Sequence, residues 1–131
     1  MIGLDTNILV RFFGRDDPIQ SKRAEQIMSS LTAEEPGWVS VAALMELQWV
    51  MTSVFRFDRI GVIQVLNRLL TREEIVIEQA DTVRAALGLY GLGNADFPDC
   101  MIAASARAAG CSRTLTFDRR AARDAGMELV G

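Results

Sequence analysis

Short apolar runs alternate along this chain with amphipathic stretches of ten or more residues, and that alternation restricts the fold more than any other feature. Met1–Leu4, Gly37–Val41, Ile75–Ile77, Thr114–Phe117 and Glu128–Val130 read as strands. Between them, Ile8–Phe13, Ile19–Leu31, Ala42–Val54, Arg59–Leu70, Ala80–Tyr90 and Pro98–Ala109 carry apolar residues at helical spacing. Thr6 or Asn7 is placed to cap the first helix, and Gly110 to end the last. Strands joined through helices of this length require right-handed βαβ crossovers, hence a mainly parallel sheet covered on both faces. The expected fold is a three-layer α/β/α sandwich in one domain, residues 1–131.

The composition closes off several classes of function. Half of the residues are hydrophobic, enough for a core without disulfides. Arg11, Glu46, Arg84 and Arg107 break the apolar runs well short of the ~20 residues a membrane span needs. With no basic leader before Met1–Asp5, the expected compartment is the cytoplasm, with no membrane partner. Cys100 and Cys111 would stand ~16 Å apart on a helix and are read as free thiols. The chain has no histidine and no Cys-x-x-Cys, which removes His-based triads and ordinary zinc sites. Any metal must therefore be held by oxygen. Net charge is −3, yet the 14 basic residues include a single lysine, Lys22. Arginine suits bidentate phosphate recognition, and a GC-rich coding genome produces the same bias.

Ligands of open parallel sheets bind beyond the carboxyl ends of the strands. Asp5 ends the first strand, Glu46 lies on the helix after the second, Asp96 and Asp99 open the alanine-rich helix, and Asp118 follows Thr114–Phe117. Each has an ordinary structural reading as well: Asp5 and Asp96 as helix caps, Asp99 and Glu46 as partners of a helix dipole, Asp118 as a turn residue beside Arg119 and Arg120. The small face Ile102, Ala103, Ala106 is expected to pack closely on the sheet and hold Asp96 and Asp99 in the crevice. Four separate segments delivering acids to one edge point beyond those readings. Clustered carboxylates repel unless a cation lies among them, and all-oxygen donors select Mg²⁺, or Mn²⁺ in its place. Such a site suits in-line displacement at phosphorus.

Leu4-Asp5-Thr6-Asn7, Glu46 after Ser40-Val41-Ala42, Ala95-Asp96-Phe97-Pro98-Asp99 running into Met101-Ile102-Ala103-Ala104, and Thr116-Phe117-Asp118 occur in that order across essentially the whole chain. In this ordered set the chain resembles a PIN domain, most closely the VapC-type toxins of bacterial toxin–antitoxin pairs. The resemblance implies a metal-dependent endoribonuclease acting on tRNA, rRNA or mRNA, a homodimer, and neutralisation by a cognate antitoxin. It maps the acidic quartet onto Asp5, Glu46, Asp99 and Asp118, with Asp96 as an additional metal-holding acid and Thr6, Asn7 and Thr116 in support. Pro98 departs from the small residue usual in these toxins, and that leaves the division of duties between Asp96 and Asp99 open. Arg11, Arg15, Arg119 and Arg120, close in sequence to the acids, are the candidate RNA contacts. Trp49, Phe55 and Phe57 suit a dimer contact or an antitoxin groove, with at least one expected in the core. Two other readings stay open. One is a non-catalytic binding module on the same fold. The other is a phosphoreceiver-like domain, which would want a lysine on a late strand.

Overall fold

A computed structural model describes residues 1–131, and the chain divides into two compact units, Met1–Glu78 and Gln79–Gly131. No helix is long and apolar enough to cross a membrane.

The first unit runs β1 (Ile2–Gly3), α1 (Thr6–Gly14), α2 (Pro18–Ser30), β2 (Gly37–Val39), α3 (Val41–Ser53), α4 (Arg59–Leu70) and β3 (Ile75–Ile77). Its three strands are all parallel, in the order β1-β2-β3, with Gly3 opposite Trp38 and Val39 opposite Ile77. Gly37 is required at the centre of this sheet, since a Cβ there would stand 2.8 Å from Leu4 Cδ1 and 2.9 Å from Leu31 Cδ1. Val39, Leu9, Leu44, Leu47, Met51, Val62, Leu66 and Leu69 are fully buried and form the core. β2 stops two residues earlier than the sequence pattern suggests. Ser40 leaves the strand to cap α3, its Oγ accepting from Ala43 N at 3.0 Å. The cap of α1 is Asp5 rather than Thr6 or Asn7, because Asp5 Oδ1 accepts from Thr6 N at 2.7 Å.

The second unit runs α5 (Ala80–Tyr90), α6 (Phe97–Ala108), β4 (Leu115–Thr116), α7 (Arg119–Asp124) and β5 (Glu128–Leu129), with β4 and β5 parallel. The strands pair as this separate ribbon and as the three-stranded sheet. The short helix α7 follows Asp118, where the ordinary structural reading had a turn beside Arg119 and Arg120. Tyr90 of α5 meets Phe97 of α6 edge-on at 5.6 Å, and Val83, Ala86, Phe97 and Cys100 are fully buried around them. The face of α6 that packs is therefore Phe97, Cys100 and Met101. Ile102 is 53% exposed and Ala103 and Ala106 are half-buried, which corrects the expectation of a close-packed small face. Cys100 is buried, Cys111 is exposed, and neither is in a disulfide.

Candidate active site

The first unit brings Asp5, Thr6 and Glu46 to the carboxyl edge of its sheet. Asp5 follows β1 and spends one oxygen on the Thr6 amide, leaving the exposed carboxylate with a second oxygen. Thr6, only 9% exposed, points its hydroxyl the other way and donates to Glu46 Oε1 at 3.2 Å, across 40 residues of sequence. Glu46 is exposed although Leu44 and Leu47 beside it are buried, since it lies on the outward side of α3. A buried hydroxyl thus holds a solvent-facing carboxylate in one orientation. Glu78, which directly follows β3, reaches the same edge: its Oε1 accepts from Val41 N at 2.8 Å and closes the first turn of α3. The sequence signal for Glu78 was its place at a strand end, the same signal that singled out Asp5.

The second unit brings Asp96, Asp99, Asp118 and Thr116 into one electrostatic neighbourhood. Asp96 caps α6, with Oδ1 accepting from Asp99 N at 2.9 Å, and Pro98 fits within the first turn without displacing the helix start. Asp118 caps α7 through Oδ1, which accepts from Arg120 N at 2.8 Å and from Ala121 N at 3.4 Å. The amide of Asp118 in turn donates to Thr116 Oγ1 at 3.0 Å, tying the aspartate to the end of β4. Asp99 has its pKa raised, first by burial, then by the charges of Asp96 and Asp118, and by its hydrogen bond with Asp96. Asp96 is therefore the cap of α6, and Asp99 is the crowded acid.

The ion pairs of the molecule fall on Asp16, Glu25, Glu35, Glu74, Asp81, Asp124 and Glu128. Asp5, Glu46, Asp96, Asp99 and Asp118 are not among them. Nowhere does the structure gather three His, Cys, Asp or Glu side chains closely enough to hold a metal ion. The donors of each unit are nevertheless all carboxylate or hydroxyl oxygen, chemistry that fits a hard divalent cation and no softer one.

The candidate RNA-contacting arginines differ from one another. Arg11 is already engaged, Nε with Gln20 Oε1 at 2.6 Å and Nη1 with Asp16 at 3.0 Å, and Arg15 pairs with Glu25 at 2.6 Å. Arg119 and Arg120 open α7 and are exposed. Asn7 is exposed and lines a groove between α1 and α2. Trp49 is 60% exposed. Phe55 and Phe57 are half-buried, their rings 6.3 Å apart, so none of the three enters the core outright.

The chain is 25% identical over 119 residues to the VapC ribonuclease of Aquifex aeolicus (strain VF5), covering 89% of this chain and 87% of that protein. The family model for the PIN domain matches residues 2–126, a span that includes Asp5, Glu46, Asp96, Asp99 and Asp118. PIN nucleases generally use divalent metal ions. The chain belongs to the PIN domain family, whose fold is the three-layer α/β/α sandwich expected from the order of its strands and helices.

Proposed function

We propose that this protein is a Mg²⁺-dependent endoribonuclease of the VapC type, a cytoplasmic homodimer held in check by a cognate antitoxin. The observation that carries the reading is the way its acids are held: Asp5, Glu46, Asp96 and Asp118 each use one oxygen on a backbone amide or a hydroxyl, and none is spent on a cation of the protein. That leaves fixed carboxylates with free oxygens, and within the second unit the charges of Asp96 and Asp118 bear on Asp99, a burden that a bound cation would relieve. In this reading Asp5, Glu46, Asp96, Asp99 and Asp118 hold the metal, with Thr6 and Asn7 in support in the first unit and Thr116 beside Asp118 in the second. A bound Mg²⁺ or Mn²⁺ supplies charge neutralisation at phosphorus and orients the substrate.

The residues do the rest. Thr6 keeps Glu46 turned toward solvent, where the scissile phosphate approaches. Asp99, its pKa raised by burial and by the charges of Asp96 and Asp118, is the acid assigned here to take the proton of the attacking water. The water oxygen bonds to phosphorus as the P–O bond to the leaving ribose oxygen breaks, and a proton restores that hydroxyl. Arg119 and Arg120, exposed at the start of α7, contact flanking phosphates, with Arg11 and Arg15 as weaker contributors because carboxylates already neutralise them.

Pulse expression followed by sequencing of RNA 5′ ends tests the reading and identifies the substrate as tRNA, rRNA or mRNA. New ends must appear with the wild type and vanish with Asp99→Asn. Their absence with the wild type leaves a binding module in place of an enzyme.

A further inference from the structure

We propose that the surface between α1 and α2 is the seat of an RNA segment flanking the cleaved bond, with Arg23 and Lys22 as its phosphate contacts. The inference rests on the ribonuclease reading and extends it to residues that the acidic motifs do not include. A cavity of about 230 Å³ between the two helices is lined by Asn7, Ile8, Arg11, Gln20, Arg23, Ala24 and Ile27. A shallower one of about 500 Å³ adjoins it along α2, sharing Gln20 and Arg23 and adding Lys22 and Gln26. The combined lining holds three amides and three cations, of which Arg11 is paired with Asp16 outside the lining while Lys22 and Arg23 are in no ion pair, in a protein whose net charge is −3.

The chemistry of that lining fits a nucleotide strand better than an acidic protein segment. Ile8, Ala24 and Ile27 form an apolar floor on which a base can lie, while Arg23 and Lys22 are exposed and enter none of the ion pairs. Gln20 adds orientation. Its Oε1 accepts from Arg11 Nε at 2.6 Å, so its amide nitrogen is the group left to face the groove and donate to a base edge or a phosphate. Asn7, at the mouth, lies two residues from Asp5, so a strand seated here leads to that carboxylate within the first unit. Phosphates supply the counter-charge, and the faces of the bases make apolar contact with the aliphatic floor.

Fluorescence anisotropy of a 5′-labelled, twelve-nucleotide single-stranded RNA, titrated with the full-length protein in EDTA so that nothing is cut, decides the matter. Each single-strand phosphate contact contributes about 0.7 to the slope of log K against log salt, or about fivefold in affinity near 0.1 M salt. Lys22→Gln with Arg23→Gln should therefore weaken binding about 25-fold and flatten the slope by about 1.4. Arg113→Gln, an exposed arginine outside the groove, should change neither. Thermal melts of the double variant should superimpose on wild type, because both side chains are exposed on α2. Unchanged affinity and slope in the double variant overturn the proposal. So does loss of binding to an aspartate-rich peptide while RNA binding persists, which would make the surface a protein site. Cleavage of the same RNA in Mn²⁺ is scored separately: a wild type that binds through Lys22 and Arg23 but cuts nothing overturns the ribonuclease reading and leaves the groove standing.

Discussion

Exchanging Asp96 and Asp99 one at a time separates a helix cap from a crowded acid. Asp96→Ala removes the oxygen that accepts Asp99 N at 2.9 Å and leaves an amide at the start of α6 without its partner. Loss of such a cap costs about 1 kcal/mol, which for a chain of this size lowers the melting temperature by roughly 3–5 °C. Asp96→Asn keeps a cap oxygen and should melt close to wild type. Asp99→Asn behaves differently. It gives up a favourable dipole interaction of about 0.3–1 kcal/mol, but it also removes a charge opposed by burial and by Asp96 and Asp118. The two effects offset, so Asp99→Asn in EDTA at pH 7 should melt no lower than wild type while losing all cleavage.

The pH dependence has a definite sign. With the folded pKa of Asp99 raised above the ordinary aspartate value, the native state binds more protons than the unfolded chain between the two. Its contribution to stability is therefore unfavourable at neutral pH and improves as pH falls through the folded value. Any advantage of Asp99→Asn over wild type should shrink between pH 7 and about pH 4.5. Circular dichroism melts of the four proteins at both pH values, in EDTA, measure this. A drop for Asp99→Asn as large as that for Asp96→Ala would refute the assignment of cap and crowded acid.

Thr6→Val keeps the shape of the side chain and removes the hydroxyl on Glu46 Oε1. Because Glu46 is exposed and water replaces the bond, stability should fall by only about 0.5 kcal/mol in denaturant titration, whereas cleavage should drop at least tenfold in kcat. Gly37→Ala drives a methyl against Leu4 and Leu31 at under 3.0 Å and should cost about 1–3 kcal/mol in the same titration. Mn²⁺ at a hundred times its Kd should raise wild-type stability by about 2.7 kcal/mol and that of Asp99→Asn much less; a melt unmoved by metal would remove the shared metal site. Light scattering should return about twice the 14.4 kDa of the chain, and a monomer mass at micromolar concentration would overturn the homodimer.

The sequence pattern located most elements because their signals are local. Arg59–Leu70, Ile75–Ile77 and Ala80–Tyr90 have the bounds their periodicity predicts. Asp118 was legible as an acid at a strand end, but not as the cap of α7, since Arg119–Asp124 is too short to show a helical period. On α6 the alanines hid the packing face, which Phe97, Cys100 and Met101 determine by bulk. The acids were readable from their places in the order of elements, whereas the partners of Arg11 and Arg15 were not. Gln20, Asp16 and Glu25 meet them only because α2 folds back along α1, a tertiary fact that no local spacing encodes.

Very little chain separates strand from helix at the carboxyl edge of the first unit: Leu4 and Asp5 between β1 and α1, and Ser40 alone between β2 and α3. At the opposite edge, residues 31–36 join α2 to β2 and residues 71–74 join α4 to β3. One residue inserted after β1 would turn α1 by about 100° and swing Thr6 away from Glu46, whereas the same insertion among residues 31–36 merely lengthens a surface loop. Tolerance of insertions and deletions should therefore be strongly lopsided, with length variation confined to the amino edge of the sheet. Fusion tags, epitope loops or permuted termini engineered into this unit belong on that side.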